Sequence, residues 1–166
     1  MTVIAWVLES TWTACVDAAR DHAAEDDEIV LLHVNDPDIP GLAHAAFTAL
    51  LGRGGQPGHD PGPRAEDIMA ASATELLAHA ADRLGRPCST VELTGRVERE
   101  VVAAAADAEL LVVARDGDRH LGPRSLGPAT RFVVDHASCP VLLVWPEPAP
   151  GVHTIPPPPP HKHHHD

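Results

Sequence analysis

The chain has 166 residues, 44% of them apolar, with a formal net charge of −12 and a single lysine, Lys162. That length supports one domain with a substantial core plus an extension. So acidic a surface repels nucleic-acid phosphates and anionic lipid heads, and 3% aromatics without any Tyr leave no stacking platform for single strands.

In chain order, Val3–Leu8 is a short apolar run that reads as a strand buried on both faces. Glu9-Ser10-Thr11 supplies hydroxyls suited to capping a helix, which the spacing of Ala14, Cys15, Ala18, Ala19 and His22 predicts next. The acidic stretch Glu25–Glu28 ends it. Ile29–Val34 is a second strand, closed by the turn chemistry of Asn35-Asp36-Pro37. A short helix is expected over Gly41–Leu51, then a Gly/Pro loop over residues 52–63. Arg64–Leu84 carries Ile68, Met69, Ala73, Leu76, Leu77, Ala80 and Leu84 on one face, an amphipathic helix that Gly85-Arg86-Pro87 stops. Ser89–Leu93 is a third strand; Val97, Val101, Val102 and Ala105 mark a helix. Leu110–Val113 and Val141–Trp145 are the fourth and fifth strands, with a Gly127-Pro128 helix start between them. Strands alternating with crossover helices predict a doubly wound α/β three-layer sandwich over residues 1–146. From Pro146 the composition changes: eight prolines by Pro160, then His161-Lys162-His163-His164-His165-Asp166. Residues 147–166 are expected to be a disordered Pro/His-rich tail.

The connection from Ala114 to Ala129 is the candidate ligand site, because open parallel sheets bind ligands beyond the carboxyl ends of their strands. Gly117 and Gly127 let backbone approach a ligand, and the helix from Pro128 aims its amino end at the same place. Arg115, Arg119, Arg124 and Arg131 crowd this segment, partly offset by Asp116 and Asp118. A solvated surface connection is the competing reading.

Other candidates carry less. Gly52-Arg53-Gly54-Gly55 follows no strand and lacks the Lys-Ser/Thr ending of a phosphate loop. His33 reads as a hydrogen-bonded core residue, and Trp12 as core packing or one wall of the cleft. His136 beside Cys139 lacks the third partner and oxyanion donors of a catalytic pair. The tail histidines, with His153, resemble any metal-collecting His tract but have no ordered spacing. Cys15, Cys88 and Cys139 form no framework, no 18-residue apolar run exists, and no signal peptide is visible, so a reduced, cytoplasmic setting is expected.

The order of elements, with Leu31-Leu32-His33-Val34, Ala108–Val113 and His136-Ala137-Ser138-Cys139-Pro140-Val141, resembles the universal stress protein family over roughly residues 2–146. The resemblance implies a five-stranded parallel sheet of the adenine nucleotide alpha hydrolase-like, Rossmann-like type. It also implies a homodimer through the last strand, in a family with ATP-binding and non-binding branches. Binding members carry Gly-x-x-Gly, nine residues, then Gly-Ser or Gly-Thr. Those positions fall on Ala114, Gly117, Gly127 and Pro128, with Ala129 beside them; Glu9 is the nearest match to an acidic residue after the first strand, and Val34 to the place where adenine is met. Proline lacks both hydroxyl and N–H, and Ala114 adds a methyl where the family has bare backbone. The expectation is therefore a non-enzymatic stress-response protein with a degraded nucleotide cleft, no cofactor, no metal, and output through an unidentified protein partner. The alternatives are an ATP or other adenine-nucleotide binder, with Mg, and a metal binder using the His tail.

Overall fold

The computed structural model describes residues 1–38 and 61–160, with the side chains of 1–38 and 71–160. Its elements are β1 (Thr2–Trp6), α1 (Trp12–His22), β2 (Glu28–Asn35), α2 (Pro61–Leu84), β3 (Ser89–Thr94), α3 (Val97–Ala104), β4 (Leu110–Ala114), α4 (Pro128–His136) and β5 (Val141–Val144). The helix expected over 41–51 and the loop residues 52–60 lie outside the described residues. Pro61, Gly62 and Pro63, expected in the loop, instead belong to α2.

All strand pairs are parallel, in the order β3-β2-β1-β4-β5. β1 is bonded on both sides, with Ile4 level with Val30 and Leu111. Because strand side chains alternate, a continuous apolar run must feed two cores. Val3, Ala5 and Val7 pack with Leu31, Val112 and Ala114 against α1 and α2. Ile4 and Trp6 pack with Leu32, Val34 and Val113 against Val101 and Ala105 from the α3 side and Val133 of α4. The expected doubly wound, three-layer α/β sandwich is what the chain forms.

The helices follow the same logic. Small residues Ala18 and Ala19 let α1 lie close on the sheet, with Cys15 and Val16 fully buried. α2 buries Ala73, Leu76, Leu77, Ala80 and Leu84 at helical spacing. It stops where Gly85 turns to φ +67 and donates its N–H to Ala81 O at 3.2 Å. The expected hydroxyl cap on α1 does not form: Thr11 is the cap residue, but its side chain makes no capping bond. Leu8 O takes the N–H of Trp12 instead, at 2.9 Å.

α1 and α2 are clamped by Asp17, which accepts from Arg83 Nε at 2.9 Å and Arg83 Nη2 at 2.8 Å, and from Arg20 at 3.2 Å. The Arg83 hydrogen bonds, more than the general charge of Arg83 and Arg20, hold the Asp17 carboxyl below its ordinary range. A depressed carboxylate stabilises the fold above its unfolded pKa, and that contribution fades as pH falls through the folded value. The clamp is partly exposed and screened, so Asp17→Asn should lower the Tm at pH 7 by only about 1–2 °C. Melting curves of the variant and the native chain should converge once pH falls below the ordinary carboxylate range.

Candidate functional site

In strand order 3-2-1-4-5, the crossovers leave β1 and β4 toward opposite faces, so a crevice opens beyond their carboxyl ends. A cleft of about 630 Å³ lies there. Trp6, Leu8, Val97 and Ala129 give it an apolar floor. Its charged lining is Asp36 and Asp38 from beyond β2, Glu98 of α3, Asp116 from beyond β4, and Arg96. Arg96 is already committed, donating from Nε to Glu98 at 2.7 Å. The Glu98 carboxyl is held below its ordinary range mainly by its own backbone N–H, with Arg96 adding to this. Among the described residues the cleft is therefore lined by four carboxylates facing one neutralised guanidinium.

The connection from β4 to α4 is folded onto itself. Gly117 donates its N–H to Ser125 O at 3.0 Å, and Asp118 to Arg124 O at 2.7 Å. Ser125 is fully buried, donating to Gly122 O at 2.7 Å and accepting from Arg115 Nη1. A methyl on Gly117 would sit 2.2 Å from Arg124 O, so glycine is required here by the loop's own backbone. At the head of α4, Gly127 donates its N–H to Asp116 Oδ1 at 2.8 Å. Pro128, the first helical residue, has no N–H to give. Of the two backbone positions at the head of α4, one N–H is thus occupied and the other is absent.

The arginines of this segment are also largely spent. Arg115 lies 4.7 Å above the Trp145 ring as well as bonding Ser125. Arg131 donates to Pro123 O. Arg119 pairs with Glu147 and reaches Pro148 O at 3.5 Å. Arg124 is exposed. Farther along, Leu121 N–H meets Thr154 Oγ1 at 3.4 Å. Residues 147–154, expected as part of a disordered tail, therefore lie as a strap along this connection.

Of the residues singled out in the sequence, Ala129 lines the cleft, while Gly117, Gly127 and Pro128 build the adjoining turn and helix start. Ala114 does not face a ligand: its methyl is 3% exposed and packs in the core on the α1 side. Val34 is buried in the opposite core, and Glu9 is exposed on the turn after β1, outside the cleft lining. His33 donates its Nδ1–H to Val7 O at 2.8 Å, a structural bond. Trp12 packs against the core instead of walling the cleft. His136 stacks on Phe132 with centroids 3.9 Å apart, and burial pushes the Cys139 thiol up, away from thiolate chemistry. Gly52–Gly55 and the histidines at 161–165 lie outside the described residues; His153 is exposed. Among the described residues no group of three His, Cys, Asp or Glu could hold a metal ion, and no helix is long and apolar enough to cross a membrane.

Sequence reasoning missed Asp36, Asp38, Glu98 and Asp116 as one group, because they come from two separate connections and the first turn of α3. Asp116 was visible only as a charge offsetting a neighbouring arginine.

With this geometry in hand, comparison with known proteins is informative. Residues 8–144 match the profile of the Universal stress protein family. No curated protein matches the chain by sequence. The universal stress protein UspA from Lactobacillus plantarum superposes with a TM-score of 0.59 at 20% identity, covering 87% of this chain and 97% of that one. A family protein from Arabidopsis thaliana, solved with AMP bound, gives 0.55 at 21% identity, with 87% and 91% covered. A universal stress protein in complex with cAMP gives 0.58 at 19%, with 89% and 98% covered.

Proposed function

The chain belongs to the universal stress protein family, and from that premise we propose a non-enzymatic stress-response protein whose nucleotide cleft no longer takes ATP and whose output goes through protein contacts. One observation carries this reading: Asp116 Oδ1 occupies the Gly127 N–H at 2.8 Å, immediately before a proline that has none. A triphosphate would have to displace an internal carboxylate and then sit among Asp36, Asp38 and Glu98. Carboxylates of like charge there repel phosphate, and Pro128 offers it no N–H in return.

The protein is read as cytoplasmic, a setting supported by three free cysteines. It is also read as a homodimer through β5, which among the described residues pairs with β4 alone; light scattering should then give twice the 17.6 kDa chain mass. The absence of an enzymatic role is part of the proposal, supported by the structural bonding of His33 and His136 and the raised Cys139 thiol.

Thermal shift with ATP and Mg²⁺ tests the cleft. Ligand at a hundred times its Kd adds about 2.7 kcal/mol, roughly 5–10 °C for a chain of this size. The native protein should move by less than about 1 °C; a rise in that larger range overturns the reading. The second reading is an adenine-nucleotide binder. It draws on the cleft's size and position, and on the AMP and cAMP held by the two related proteins. The same titration run with AMP separates the two.

A further inference from the structure

Three large apolar residues are conspicuously exposed among the described residues: Met1 at 52%, Val152 at 78% and Ile155 at 55%. Two of the three sit together at the root of the proline run. Val152–Thr154 forms one short helical turn, fixed by Thr154 Oγ1 to Gly151 O at 2.8 Å and by Leu121 N–H to Thr154 Oγ1. Ile155 leaves that turn at φ −68, ψ 123, already close to the polyproline II region. Pro156–Pro160 follow without secondary structure, all exposed.

Five consecutive prolines restrict one another to polyproline II, a rod of three residues per turn rising about 3.1 Å per residue. Pro157 and Pro160 thus share one ridge, one turn apart. A rod with its root anchored to a folded domain has little conformational entropy left to lose on binding.

The natural complement of such a rod is a groove of aromatic rings. Among the described residues this chain has no aromatic groove to offer. Trp6 is buried, Trp12 packs on the core, Trp145 lies under Arg115, Phe132 stacks on His136, Phe47 lies outside the described residues, and there is no Tyr. A second copy of the chain is therefore a poor occupant.

We propose that Val152–Pro160 is a docking element for a different protein, one with an aromatic-lined polyproline groove. Val152 and Ile155 would rest on the apolar rim of that groove. The inference rests on the reading that output goes through protein contacts, yet it stands apart from the state of the cleft.

The test uses the full chain and three recombinant probes: an SH3 domain, a WW domain and an EVH1 domain, titrated calorimetrically. Saturable one-to-one binding to at least one probe is expected. Pro157→Ala with Pro160→Ala should weaken it at least tenfold. Val152→Ser with Ile155→Ser should weaken it severalfold. These positions lie outside the two cores, so an unchanged Tm verifies folding. Absence of saturable binding to all three probes overturns the proposal. So does binding indifferent to the proline pair, or proline-dependent self-association. The ATP titration reads the cleft independently: a cleft that binds ATP beside a rod that docks would overturn the cleft reading alone.

Discussion

Replacing Pro128 by Ser together with Asp116 by Asn should create an affinity for Mg-ATP that the native chain lacks. The serine restores an N–H and a hydroxyl at the first position of α4. The asparagine removes the charge that holds the Gly127 N–H at 2.8 Å. A hydrogen bond to a charged group contributes about 1.5–3 kcal/mol, so each recovered donor strengthens binding roughly tenfold to a hundredfold. The double variant should melt about 5 °C or more higher in saturating Mg-ATP, while either single variant moves less. Adding Ala114→Gly should not increase affinity. Its methyl lies in the core on the α1 side, and glycine within a strand costs about 0.5–1 kcal/mol. If the double variant shows no shift, Asp36, Asp38 and Glu98 suffice to keep the phosphates out.

The largest loss of stability should come from Trp6→Ala. Trp6 is 1% exposed, joining the second core to the floor of the cleft. Truncating a buried tryptophan to alanine costs about 3–5 kcal/mol, which lowers the Tm of a chain this long by roughly 10 °C or more. Trp6→Phe should behave quite differently. The indole Nε1 has no hydrogen-bond partner among the described residues, so no bond is lost and only volume changes. A cost below about 1.5 kcal/mol is expected, read from urea unfolding midpoints at constant m-value. A loss from Trp6→Phe as large as that from Trp6→Ala would mean that the indole N–H is bonded in solution.

The sheet was legible because each of its inner strands is apolar on both faces, a pattern few other structures produce. Val3, Ala5 and Val7 alternate with Ile4 and Trp6 in sequence as they do between the two cores. The same parity puts Ala114 with Val112, so its direction was implicit in the strand; deciding which layer that face meets required the handedness of the crossovers. The site was less legible. Glycine spacing marked the right connection, but Gly117 is explained by contact with Arg124 and Ser125 of its own loop, which spacing cannot reveal. The arginines looked available because their partners are remote or backbone: Glu147 for Arg119, Trp145 for Arg115, and Pro123 O for Arg131. The Thr11 hydroxyl does not cap α1, and Leu8 O takes the N–H of Trp12.

The strap has a thermodynamic corollary. Glu147 and Thr154 tie it to Arg119 and Leu121, on the same loop whose Asp116 guards the head of α4. A partner that lifted the strap would have to break those contacts, so docking of that kind and the arrangement of the loop would be linked, and linkage is symmetric. An occupant of the crevice that rearranged the loop would weaken or strengthen docking at the far end by the same factor.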